Sequence, residues 1–136
     1  MAHGMRYLKE QPFRDRRGKP IKGVTFTKAG TEEEVSGENI MLGDVLFSFA
    51  ENYVPTQKVQ LTNGEIRHLW EAQDAIASGP SKDGYFVFEN APFDVLRKTV
   101  EALVSAAAQF ARHAPIVEDA LNGVVTRTIE EGPPGE

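Results

Sequence analysis

The chain has 136 residues, 40% hydrophobic and 26% charged. A chain of this length makes one domain that buries about two thirds of its unfolded surface. It contains no cysteine, which excludes disulfides, thiolate metal centres and cysteine nucleophiles and suits a reducing cytoplasm. The net charge of −5 conceals a division: residues 1–30 carry eight basic against two acidic side chains (+6), and the rest carries seven against eighteen (−11).

The first segment supplies much of the positive charge. Arg6, Lys9, Arg14, Arg16 and Arg17 lead into no apolar run of the signal-peptide kind. Residues 6–20 lack periodicity, and Pro12, Gly18 and Pro20 break them further, so residues 1–20 are expected to form a basic extended arm. Ile21–Thr27 alternates and predicts a strand with Val24 and Phe26 on one face. Lys28-Ala29-Gly30 turns the chain, and Glu32–Val35 returns as a short second strand. A hairpin near 21–35 needs a helix or a third strand to cover it.

Leu42, Val45, Leu46, Phe49, Ala50 and Tyr53 recur at helical spacing and predict a first amphipathic helix beginning near Gly43-Asp44 and closed by Pro55. A strand is expected near 58–61. Thr62 and Glu65 have capping-box spacing, with Leu61 and Ile66 placed as a staple, so a second helix runs to Ala77 before Ser78-Gly79-Pro80. Trp70, the one tryptophan, falls in that helix's apolar stripe and is expected in the core. Residues 84–88 are aromatic and β-prone.

Phe93, Leu96, Val100, Leu103, Val104, Ala107, Phe110 and Ala111 form the longest stripe, on a central helix over 92–113 opened by Pro92 and stopped before Pro115. An a/d heptad runs through it for about three repeats, which would suit an interface. Two other helices and a strand need an apolar surface, and that demand favours the core. A short helix ends at Asn122-Gly123, and residues 126–136 read as a mobile tail with little to bury. The expected fold is α+β: a small sheet, from the hairpin near 21–35 and strands near 58–61 and 84–88, packed on three or four helices. Residues 21–125 form the single domain between arm and tail.

Catalytic signatures are missing from the sequence: no phosphate loop, dinucleotide fingerprint, nucleophile elbow or H-E-x-x-H. Glu65 and His68 form one E-x-x-H pair, but a di-iron bundle needs two such pairs and two further glutamates. Glu32, Glu33, Glu34 and Glu38 read as a solvated run, without the burial that raises a catalytic acid's pKa. No catalytic residue, cofactor or metal is expected. A small-ligand site would require Tyr85, His68 and Trp70 to converge.

The basic arm remains the functional candidate. Phe13, Arg14, Arg16, Arg17 and Lys19 have the chemistry to clamp phosphates, with Phe13 stacked on a base. The same cations suit an acidic protein surface, including that of another copy of the chain. A third possibility is an arm folded back on its own acidic body. Tyr53, Trp70 and Tyr85 are the aromatic interface candidates. With no run of about eighteen apolar residues, a membrane is not an expected partner.

From Leu42 to Gly79 the chain runs LGDVLFSFAENYV, then VQLTNGEIRHLWEAQDAI. This stretch resembles a pattern in small accessory proteins of tailed bacteriophages and prophages, in which a helix beginning LGDVL precedes an LT-x-x-E helix start. The resemblance covers under a third of the chain, carries no catalytic residue across and does not reach the arm. It implies a virion-associated or host-interaction protein, found in the bacterial cytoplasm or on the virion. The expectation is a non-enzymatic protein acting by protein–protein interaction, with nucleic-acid binding through the arm as the alternative.

Overall fold

The fold is taken from a computed structural model, which describes residues 4–53, 55, 57, 59–106 and 113–128, with the backbone alone for 101–106 and 128. In chain order its elements are β1 (Gly4–Lys9), β2 (Ile21–Thr27), β3 (Glu34–Gly37), α1 (Leu42–Glu51), α2 (Asn63–Ala77), β4 (Tyr85–Glu89), α3 (Asn90–Ala106), α4 (Ala114–Asn122) and β5 (Val125–Thr128). The described residues thus form an α+β fold of four helices with a three-stranded and a two-stranded antiparallel sheet.

β1 lies in the middle of the larger sheet, in the order β4-β1-β5. Arg6 pairs with Phe88 and Leu8 with Phe86 on the face toward the helices, whereas Tyr7 pairs with Val87 and Lys9 with Tyr85 on the other. The Arg6 guanidinium lies 5.6 Å from the centre of the Phe93 ring, and the Lys9 ammonium lies 5.3 Å from that of Tyr85. Each cation therefore covers an aromatic face while its charge reaches outward. Beyond β1 the chain stays docked: the amides of Glu10 and Phe13 donate to the carbonyls of Gly84 and Ile40, and the Leu42 amide donates to that of Gln11. The Phe13 ring is only 2% exposed and meets Phe26 edge to face at 6.4 Å.

Three expectations are corrected here. The segment expected as an extended arm is, over residues 4–13, the centre of the sheet and part of the core. Residues 126–128, expected in a mobile tail, pair with β1 as strand β5. No strand forms at 59–61: the Leu61 amide donates to the Tyr53 hydroxyl and not to a neighbouring strand, and the run passes straight into the α2 cap. Lys58, the C-terminal part of the expected central helix at 107–112 and the tail beyond 128 lie outside the described residues.

The hairpin expected near 21–35 is β2 paired with β3, with a register shift between Ile21 and Thr25. α2 begins as expected: the Thr62 hydroxyl accepts from the Glu65 amide and the Glu65 carboxylate accepts from the Thr62 amide. Its buried seam is Leu69, Ala72, Gln73 and Ile76. Trp70 stands about 100° round the helix from Leu69 and is 58% exposed, so its expected core position is corrected. α3 packs against α1, α2, α4, β1 and β4, and buries Phe93, Leu96 and Val100 with Phe49, Phe86 and Phe88. No helix among the described residues is long and apolar enough to cross a membrane.

Candidate interaction surface

The residues between β1 and β2 close on themselves. Arg14 and Pro20 form an isolated bridge, the Asp15 amide donates to the Lys19 carbonyl, and the Gly18 amide donates to the Asp15 carbonyl. Gly18 sits at φ +79°, a conformation that resists any other residue. The Asp15 carboxylate accepts from the amides of Arg17 at 2.8 Å and Lys19 at 2.9 Å. The Lys19 amide does most to hold its carboxyl below the ordinary range, and the charges of Arg17 and Lys19 add to the effect. The expected extended arm is therefore a closed loop that presents Arg16, Arg17 and Lys19 to solvent. Phe13, at its base, is buried and cannot stack on a base.

The ion pairs among the described residues are Arg6–Asp94, His68–Glu71 and Lys98–Glu65, and none involves this loop. Its cations are thus not folded onto the acidic body described here. Arg16 and Arg17, with Asp15, form one wall of a groove of about 600 Å³ whose other described wall is His113, Pro115 and Ile116 at the start of α4.

A second concavity, of about 490 Å³, opens where the β2–β3 hairpin meets the start of α1 and the end of α2. Its origin is the α1 N-terminus, whose cap residue Met41 offers no side-chain oxygen for the free amides. Asp44 in the helix's own first turn and Glu10 from outside it supply acceptors. One Asp44 oxygen accepts from the Met41 amide at 3.1 Å and the other from the Ala29 amide at 2.9 Å, which leaves Asp44 6% exposed but satisfied. Glu10 reaches across from the end of β1, and its Oε1 accepts from the amides of Gly43 and Gln11, both at 3.0 Å. Its Oε2 accepts no hydrogen bond among the described residues and faces Gly43, where an added Cβ would lie 2.8 Å from it and 2.7 Å from the Phe86 ring.

Burial pushes the Glu10 carboxyl above the ordinary range, the two amides oppose that, and the Asp44 charge adds to it. Glu33 and Glu34 line the exposed side of the cleft, with Lys28 as its one described cation. Val35, Ile76, Ala77 and Phe86 give it apolar walls. Sequence reasoning placed Asp44 at the helix start but missed Glu10, whose partner Gly43 is 33 residues away. The only signal was an uncapped helix start that needed an acceptor from somewhere else.

The other candidates do not form a site. The Tyr53 hydroxyl is engaged by Leu61, Trp70 projects from the outer face of α2, and Tyr85 lies under Lys9 at the start of β4. None of the three lines either concavity. His68 Nδ1 lies 2.8 Å from Glu71, while Glu65 serves the Thr62 cap and pairs with Lys98 at 2.7 Å, so the E-x-x-H pair is divided between two structural duties. The Lys98 hydrogen bond is the main cause of the lowered Glu65 pKa, and Lys98 is raised in return. Among the described residues no group of three or more His, Cys, Asp or Glu side chains is placed to hold a metal ion. No family model, curated protein or solved structure matches the chain.

Proposed function

We propose that the chain is a non-enzymatic accessory protein of the tailed-bacteriophage type that works by protein–protein contact through the Arg14–Pro20 loop. It would act in virion assembly or on a host factor, in the bacterial cytoplasm or on the virion. One observation carries this reading: Arg16, Arg17 and Lys19 are exposed on a self-closed loop, without an ion pair among the described residues, on a chain otherwise rich in acid. A loop already held in shape loses little freedom on docking, so more of its contact energy appears as affinity. The resemblance over residues 42–79 supports the phage setting.

The nucleic-acid alternative is weaker on two grounds. Phe13 is buried, and three exposed cations would give a salt slope of only about −3, with a correspondingly small electrostatic affinity. A photo-crosslinking residue at position 17, introduced in cells, separates the readings. Protein adducts are expected, and they should disappear when Arg16 and Lys19 become Ser. Adducts to nucleic acid alone, or none, would reject the proposal. Deleting residues 1–20 is no substitute, because it removes β1.

A further inference from the structure

We propose that the acidic cleft at the start of α1 receives the basic loop of a second copy of this chain, so that copies join head to tail. The inference rests on the reading of the loop as a protein contact and names its partner. Both halves of the joint are present in one molecule. The donor is Arg16, Arg17 and Lys19 on the closed loop. The acceptor has the Glu10 Oε2 atom and the carboxylates of Glu33 and Glu34 around an apolar floor that includes Ile76 and Phe86. That combination fits an arginine, whose methylene stem lies on apolar surface while its planar head meets carboxylates. A concavity of about 490 Å³ has room for such a side chain.

Within one molecule no ion pair joins the two halves among the described residues. The loop ends at Pro20, where β2 begins, and the cleft lies past its other end, beside Lys28 and Ala29. The loop's own hydrogen bonds keep it closed. The cleft is also electrostatically unfinished. Glu10 is held half-buried with its pKa raised, a cost that an incoming guanidinium would relieve. Because donor and acceptor are different patches, the joint is heterologous and extends into a ring or an open array.

The test uses the full chain in sedimentation velocity at about 0.05 M and about 0.5 M salt, where screening lengths differ roughly threefold. Species larger than a dimer are expected at low salt and monomer at high salt. Two variants separate the halves: Arg16→Ser with Arg17→Ser disables the loop, and Glu33→Gln with Glu34→Gln disables the cleft. Each alone should remain monomeric at low salt with an unchanged circular dichroism spectrum. Mixed in equal amounts they should form a dimer and stop there, because each retains one working half. A monomeric wild type at low salt, a variant that assembles like wild type, or a mixture that stays monomeric would overturn the inference. If wild type is monomeric while the position 17 crosslinker captures a different protein, only the choice of partner fails. Capture of nucleic acid alone rejects the protein-contact reading as well.

Discussion

Residues 4–13 and residues 14–20 are neighbours in sequence and both carry several cations, yet the fold uses them in opposite ways. In the first stretch Arg6 and Lys9 cover the rings of Phe93 and Tyr85, and Leu8 and Phe13 are buried in the core. In the second, the hydrogen-bonding groups of Asp15 turn inward to close the loop, and the cations are left facing solvent. The second is the more basic, with four cations in seven residues against two in ten, but charge alone does not decide which side chains are buried. What decides is the backbone, since a strand in the middle of a sheet commits alternate side chains to the core and a self-closed loop commits none. A basic segment is therefore a candidate interface only where its backbone is satisfied without its basic side chains.

That contrast can be broken first at Phe13. Phe13→Ala should cost about 3–5 kcal/mol, as for other fully buried aromatics, measured by chemical denaturation. A loss below about 1 kcal/mol would mean that the segment is peripheral after all. Next, Asp44→Ala should cost about 2–3 kcal/mol, because it strands the amides of Ala29 and Met41. Asp44→Asn, with one oxygen, should recover part of that.

A smaller effect, of opposite sign, is expected at Glu10. Its folded pKa is raised above the ordinary 4.5, so its ionisation lowers stability. That penalty is absent below the unfolded pKa, grows as pH rises through the window up to the raised folded value, and stays in full above it. Glu10→Gln should thus raise stability near neutral pH by at most about 1 kcal/mol, and the gain should vanish below about pH 4. The same substitution should weaken head-to-tail assembly. Asp15 and Glu65 run the other way: their lowered pKa values stabilise the fold above the ordinary carboxylate range and lose that contribution as pH falls through the depressed values. The smallest effect belongs to Arg16→Ser with Arg17→Ser, which should change stability by less than about 0.5 kcal/mol while abolishing assembly.

Several elements were legible because their causes are local. The Thr62–Glu65 capping box, the apolar spacing from Leu42 to Ala50, the alternation of Ile21–Thr27 and the aromatic run at Tyr85–Phe88 each act within a few residues. They specify the helix or strand wherever the segment ends up. Trp70 misled because the true seam of α2 includes Ala72 and Gln73, residues too small or too polar to show in a hydrophobic pattern. The identity of the α+β class followed from those local signals taken together.

The sequence by itself determined the helices α1, α2 and α4, the hairpin, the start of α3 and the division of charge. Only the tertiary structure decided that Gly4–Lys9 is the central strand, that Val125–Thr128 completes its sheet, and that Glu10 caps a helix beginning at Leu42. The reason is range. A cap or an amphipathic stripe is written in residues three or four apart, whereas Arg6 finds its strand partners at Phe88 and Thr126. A short polar-looking strand such as Gly4–Lys9 gains its stability from those distant partners, and the cleft beside Glu10 exists only once they have met.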